Sequence, residues 1–171
     1  FVVGTVEEVS NLKIPDEKKV GYITQTTLSL DDTAEIITAL KERFPEIKGP
    51  AKDDICYATQ NRQNAVKALS KEVDLVLVVG AQNSSNSMRL LEVAETTGVK
   101  ARRIESAAEL DPEWLEAVRN VGITAGASAP DDIVQGIVTE ISKMSSSSIV
   151  RDLEIVQEDV TFALPTELRN P

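Results

Sequence analysis

The sequence predicts an α/β fold built on a parallel sheet, and three observations predict it. The run Asp74-Leu-Val-Leu-Val-Val-Gly80 is apolar after its first residue, as a strand covered on both faces of a parallel sheet must be. Strand-like and helical stretches alternate from about residue 20 to residue 143, which is the order of strand–helix–strand units. Aromatic residues make up only 4% of the chain, so its core is mostly aliphatic.

Taken in order, Phe1–Val3 reads as a strand and Thr5–Ser10 as a short helix, with a turn at Pro15-Asp16. Lys19–Thr24 reads as a strand that runs into the hydroxyl-rich loop Thr24–Ser29. Asp31-Asp32-Thr33 is expected to cap a helix whose apolar face carries Ile36, Ile37 and Leu40, and Phe44-Pro45 stops that helix. After Gly49-Pro50 a loop through Asp53, Asp54 and Cys56 enters a helix that includes Gln63, Val66 and Leu69. The strand at 74–80 follows, then Asn83-Ser-Ser-Asn-Ser87 and a helix from about residue 85 to Thr97-Gly98, where glycine suits a left-handed cap. Lys100–Ile104 is a further strand, and Ala107–Leu110 and Pro112–Val118 are short helices, Pro112 standing near a helix start. Asn120–Ala125 is a strand that turns through Gly126–Asp132 into a helix at Ile133–Ile141. Met144–Ser148 is a low-complexity break, and Asp159–Leu164 is a candidate last strand. The expected organisation is the latter part of an α/β domain at 1–50, a complete α/β domain at 51–143, and a tail at 144–171 that returns to the body.

The totals exclude several classes. A chain of 171 residues buries roughly 70% of the surface its unfolded form exposes, enough for a real core. A net charge of −10 argues against a nucleic-acid surface, which needs clustered Lys and Arg. No apolar run approaches the length of a membrane span. There is no histidine, which removes the usual acid–base residue and the commonest metal ligand. With Cys56 as the single cysteine, no internal disulfide or complete thiolate metal site can form. The chain begins at Phe1, has methionine only at Met88 and Met144, and shows no signal or transit peptide, so it reads as a fragment.

One device occurs three times: an apolar strand, a loop of small hydrogen-bonding residues, then a helix. The loops are Thr24–Ser29, Asn83–Ser87 and Thr124–Pro130, and a fourth loop carries Cys56. Each helix start offers backbone N–H groups and partial positive charge to an anion, and Ser, Thr and Asn add further donors. An anion held this way needs few cations, which suits so acidic a chain. The same residues are also the ordinary N-caps that any α/β domain requires. Neither the Gly-x4-Gly-Lys-Ser/Thr loop nor a Gly-x-Gly-x-x-Gly fingerprint is present. Composition and spacing reach an anion-binding α/β protein and stop there.

As literal strings the loops go further. Thr24-Gln-Thr-Thr-Leu-Ser29, Lys52-Asp-Asp-Ile-Cys-Tyr-Ala-Thr59 with Asn61-Arg62, Val78-Val-Gly80 with Asn83-Ser-Ser-Asn-Ser87, and Thr124-Ala-Gly-Ala-Ser-Ala-Pro130 stand in one order. Together they resemble the carboxyl-terminal portion of the 4-hydroxy-3-methylbut-2-enyl diphosphate reductases of non-mevalonate isoprenoid synthesis, the LytB family. The likeness runs from about residue 1 to residue 143. It implies a trefoil of three α/β domains around a central 4Fe-4S iron–sulfur cluster held by three cysteines, of which Cys56 matches one. It implies that Ser84, Ser85 and Asn86, with Ser128, grip the substrate's diphosphate. Thr26 matches a threonine near the substrate's hydroxyl end, where it positions the leaving group, and Thr59 lies in the cysteine loop, toward the substrate or its ordered water.

The implied chemistry is reductive dehydroxylation of an allylic alcohol diphosphate to isopentenyl and dimethylallyl diphosphate, consuming two electrons and protons and releasing water. The apical iron would act as a Lewis acid on the alkoxide. The implied partners are the allylic diphosphate, ferredoxin or flavodoxin as electron donor, and the missing amino-terminal part, with no nucleic acid and no membrane. The implied compartment is a reducing bacterial cytoplasm, or a plastid if a transit peptide lies upstream. This chain departs from the family in lacking the other two cysteines, the histidines near the diphosphate and the proton-relaying glutamate, so alone it is expected to be inactive. Two alternatives stand beside this reading: a non-catalytic diphosphate-binding module or half of a split protein, and another phosphate-ester enzyme on an α/β scaffold. Asp53-Asp54 and Asp131-Asp132 fit helix starts better than acid catalysis.

Overall fold

The computed structural model describes residues 1–50, 55–145 and 148–155. In chain order the elements are helix α1 (Val6–Asn11), α2 (Leu30–Arg43) and α3 (Tyr57–Leu69), strand β1 (Leu75–Val79), helix α4 (Ser85–Thr96), strands β2 (Lys100–Ile104) and β3 (Val121–Ala125), and helix α5 (Asp131–Met144). Two short 3₁₀ turns, Ala107–Glu109 and Pro112–Leu115, lie between β2 and β3.

The sheet is parallel and ordered β2-β1-β3, with Leu75 opposite both Lys100 and Val121. All five β1 residues are buried, as a central strand covered on both faces requires. Their side chains alternate between faces. Val76 and Val78 join Val66 of α3 and Leu90, Val93 and Ala94 of α4 in one core. Leu75, Leu77 and Val79 join Ile104, Leu110 and Ile137 of α5 in another. Burying each Leu or Val contributes about 1.5–3 kcal/mol, so this five-residue strand anchors the sheet from both sides. Gly98, at φ +84°, turns the chain out of α4 toward β2.

A third core is separate from these two. Val9 of α1 packs with Leu40 of α2 and Phe44, lined by Val20, Tyr22 and Ile47. The Arg43 guanidinium donates to the carbonyls of Val9 and Leu12, which ties the end of α2 to the end of α1.

Several expectations change. Lys19–Thr24 is not a strand but a single parallel bridge between Gly21 and Lys48. The Tyr22 N–H donates to the Lys48 carbonyl at 2.9 Å, and the Lys48 N–H to the Val20 carbonyl at 3.0 Å. A parallel ladder gains stability from neighbours on both sides, and among the described residues each segment has only the other. Phe1–Val3 forms no strand, and Phe1 and Val2 are 85% and 98% exposed.

Helix α2 is capped by Ser29, whose hydroxyl accepts the Asp32 N–H at 3.3 Å, rather than by Asp31–Thr33. Asp31 and Asp32 instead occupy its first turn, where their charge complements the helix's positive end. The helix expected at Pro112–Val118 is a 3₁₀ turn that ends at Leu115, and Ala117 at φ 59° cannot continue it. Asp131 and Asp132 sit in the first turn of α5, as expected. Asp53, Asp54 and Asp159–Leu164 lie outside the described residues. Among the described residues no helix is long and apolar enough to cross a membrane.

Candidate functional site

Parallel strands bring their carboxyl ends to one edge of the sheet, where ligands of open α/β folds bind. The loops after β1 and β3 meet there because those strands are neighbours. Ser84 is the N-cap of α4, its Oγ accepting the Ser87 N–H at 3.3 Å and lying 3.0 Å from the Ser87 Oγ. Ser85 opens the helix on its exposed side. Asn86 follows and is only 9% exposed, yet neither its amide oxygen nor its amide nitrogen has a hydrogen-bond partner among the described residues. A buried amide left in that state costs about 1–3 kcal/mol for each unmet group, so its position has hydrogen-bonding capacity that the described residues do not fill.

Ser87, 1% exposed, is the wedge that holds the two loops together. A Cβ on Gly80, at the end of β1, would overlap the Ser87 hydroxyl and come within 2.8 Å of the Ser87 Cβ. A Cβ on Gly126, at the end of β3, would overlap the same hydroxyl. The Gly126 N–H also donates to the Val79 carbonyl at 2.9 Å. The chain then turns, the Ala129 N–H meeting the Gly126 carbonyl at 3.0 Å, and leaves Ser128 exposed on the loop. α5 begins after Pro130 with no side-chain cap, so Ser128 is not consumed as one.

The other candidates gather around the start of α3. Cys56 is its N-cap residue, with an exposed free thiol and no side-chain capping bond. The Cys56 N–H donates to the Thr26 carbonyl at 3.3 Å, and the Thr59 N–H to the Cys56 carbonyl at 2.8 Å. Thr26 is exposed and Thr59 is buried. Gln63 fixes the Thr26 loop in place. Its amide donates to the Leu28 carbonyl at 2.8 Å and accepts the Leu30 N–H at 3.1 Å.

A cavity of about 360 Å³ lies between the Thr24–Ser29 loop and the start of α4, lined among others by Gln25, Thr27, Asn83, Ser85 and Arg89. Arg89 in its wall is held by Asp32 at 3.5 Å and Glu92 at 2.6 Å. The cavity joins the first and second loops. Of the candidate site residues Ser85 lines it, and Thr26, Cys56, Thr59, Ser84, Asn86 and Ser128 do not.

The loop after β1 is braced from β2. Glu105 accepts the Gln82 N–H at 2.8 Å and pairs with Arg103 at 2.9 Å, while Arg103 also donates to the Gly80 carbonyl at 2.9 Å. The Gln82 N–H first, then the Arg103 side chain, hold the Glu105 carboxyl below its ordinary range. At the opposite edge of the sheet Asp74 accepts the N–H groups of Asn120 and Arg119, both at 2.9 Å. Those bonds, Asn120 foremost, lower its pKa.

The sequence pointed to Ser87 as one of the hydrogen-bonding residues of the Asn83–Ser87 loop, but not to its seat between Gly80 and Gly126. It did not point to Gln63 or the Arg103–Glu105 brace as parts of the site. Gln63 carried a usable signal, a polar residue three positions before Val66 on the buried side of an amphipathic helix. The wedge role of Ser87 carried none, because it lies in what two distant glycines leave open.

A metal needs converging ligands. Among the described residues no group of three or more His, Cys, Asp or Glu side chains forms a metal site, so they offer Cys56 as one thiolate ligand and no complete set.

Comparison with known proteins gives a consistent result. A family model described as LytB protein matches residues 1–142. A 4-hydroxy-3-methylbut-2-enyl diphosphate reductase of Azoarcus sp. (strain BH72) is 54% identical over 168 residues, covering 98% of this chain and 54% of the relative. One from Haemophilus influenzae (strain PittEE) is 48% identical, covering 99% of this chain and 54% of the relative. The solved structure of the E-1-hydroxy-2-methyl-but-2-enyl-4-diphosphate reductase from Plasmodium falciparum matches with a TM-score of 0.76 at 37% identity, covering 81% of this chain and 44% of that one. The chain thus spans about half the length of the curated relatives it matches.

Proposed function

The chain belongs to the LytB protein family, and from that premise we propose that it is part of a reductase acting on 4-hydroxy-3-methylbut-2-enyl diphosphate. The observation that carries the reading is Asn86, buried at the sheet's carboxyl edge with both amide atoms unpartnered among the described residues. In this reading the amide meets a diphosphate, Ser84 and Ser85 donate beside it from the start of α4, and Ser128 closes on the same group from the loop after β3. The N–H groups and partial charge of the α4 terminus favour an anion at that place. Holding the diphosphate uses binding energy remote from the reacting carbon to fix that carbon in place.

Thr26 and Thr59 lie on either side of Cys56 and would border the substrate's hydroxyl end, Thr26 orienting the group that leaves. Cys56 would supply one of three cysteine ligands to a 4Fe-4S cluster, and its exposed thiol at a loop–helix junction fits that role. When bound, the cluster supplies electrons and a Lewis-acidic iron. Since the described residues offer one thiolate, the remaining ligands and the proton donor would come from the portion that the relatives carry and this chain does not span. The chain alone is then inactive. A small redox protein, ferredoxin or flavodoxin, would deliver the electrons, and a lone exposed thiol suits a reducing cytoplasm.

The separate core around Val9, Leu40 and Phe44 supports a domain boundary near residue 50, with residues 1–50 belonging to one α/β unit and 51–143 to the next. The tail from residue 144 would return to the body.

The test is turnover. This chain, joined to the portion of the Azoarcus relative that it does not cover (the completed protein below), should convert the allylic alcohol diphosphate to isopentenyl and dimethylallyl diphosphate with a chemical reductant. The chain alone should form neither. A completed, cluster-loaded protein that binds this substrate and never reduces it would count against the proposal.

A further inference from the structure

We propose that Ser87 is a positioning residue for the diphosphate grip, setting the Ser84 hydroxyl as a pure hydrogen-bond donor toward the ligand. The inference rests on the reading of Ser84 as a diphosphate contact. Ser87 has almost no freedom. It is 1% exposed, and the absence of side chains on Gly80 and Gly126 leaves its hydroxyl a seat between the ends of β1 and β3. A side chain walled in by two backbones keeps one rotamer.

That rotamer places the Ser87 Oγ 3.0 Å from the Ser84 Oγ, which already accepts the Ser87 N–H at 3.3 Å. A serine hydroxyl has one proton to give and two lone pairs to receive. With the Ser87 O–H also donating, both lone pairs of Ser84 are filled, and its own O–H is left to point away from the helix. Such a hydroxyl suits a phosphate oxygen and offers nothing to an ammonium or amide donor. The adjacent Asn86, buried with its amide unpartnered among the described residues, marks the same place as a ligand position. Ser87 therefore never touches the ligand. It determines which way the neighbouring hydroxyl acts.

The test is a double-mutant cycle on inorganic pyrophosphate binding, measured by calorimetry on the cluster-loaded completed protein. Ser84→Ala and Ser87→Ala should each weaken pyrophosphate by about three- to tenfold, the scale of one ordinary net hydrogen bond. The double variant should be no more than about twofold weaker than Ser84→Ala, because the second change acts only through the first. In turnover, Ser87→Ala should raise KM and leave kcat near that of the parent, which general loosening of the fold would not do. Multiplying effects, or an unchanged affinity in Ser87→Ala beside a weakened Ser84→Ala, would overturn the positioning role while leaving Ser84 as a contact. An unchanged affinity in Ser84→Ala would remove the diphosphate assignment of Ser84 and this inference with it.

Discussion

The backbone N–H of Cys56 donates to the carbonyl oxygen of Thr26 across 3.3 Å, although thirty positions separate the two residues. This one bond brings the loop after the Gly21–Lys48 bridge against the cysteine loop. It makes neighbours of the Thr26 loop, which lies within the stretch that forms the separate core around Val9 and Phe44, and the Cys56 loop, which follows that stretch in sequence. Gln63 backs the arrangement from α3 by pairing with Leu28 and Leu30.

Gln63→Leu should therefore destabilise the completed protein by about 1–3 kcal/mol, because it removes the partner of the half-buried Leu30 N–H and of the half-buried Leu28 carbonyl. Urea denaturation checks this. A change under about 0.5 kcal/mol, the ordinary range for surface substitutions, would mean the amide is dispensable.

Gly126→Ala should cost about 1–3 kcal/mol, the usual penalty for forcing an extra methyl into a packed place. The new Cβ would meet the Ser87 hydroxyl at the end of β3. Gly136→Ala is the control, since a Cβ there meets nothing within 4 Å, and it should be neutral or stabilising in mid-helix. Equal melting temperatures for the two variants would contradict the close seat described for Ser87.

How much of this was legible in the sequence depends on the range of the force involved. β1 was readable because an unbroken Leu-Val run has only one comfortable place in such a fold. Gly98 was readable because a helix end that needs positive φ asks for glycine locally. Lys19–Thr24 looked equally strand-like, yet a parallel strand is made by its neighbours and the described residues bring it only one, through Lys48. The cap at Ser29 was not distinguishable from one at Asp31-Asp32-Thr33, because Ser, Asp and Thr all cap helices and only geometry chooses among them. At the site, residue types at Ser84 and Ser85 suggested an anion, but the burial of Asn86 and the wedge at Ser87 exist only once β1 and β3 are side by side.

Acid should loosen the brace under the anion loop. Glu105 has an ordinary pKa near 4.5, and its folded value is lower. Its contribution is thus fully present above the unfolded pKa and is lost as pH falls through the folded one. Asp74, ordinary value 3.8, behaves the same way at the other end of the sheet. Melting temperature of the Glu105→Gln variant should differ from the parent by a constant amount between about pH 6 and 8, and the gap should close toward about pH 3. A gap that widens in acid would contradict the assigned partners.

Cys56→Ser should abolish iron binding and turnover in the completed protein while leaving its helical circular dichroism intact, since the Cys56 side chain makes no capping bond in α3. Iron content and visible absorbance report the outcome. Full iron occupancy with full activity would leave Cys56 an ordinary surface thiol and favour a phosphate-ester enzyme of another kind.

The most direct measurement concerns Asn86. Pyrophosphate affinity and substrate KM should be compared between the cluster-loaded completed protein and its Asn86→Ala variant. Loss of an amide that meets the diphosphate should weaken both by at least about tenfold, near 1.4 kcal/mol, with the melting temperature unchanged or raised because a buried unpartnered amide is gone. Affinity and KM within about twofold of the parent, below roughly 0.5 kcal/mol, would mean that no diphosphate meets Asn86 and that the site lies elsewhere.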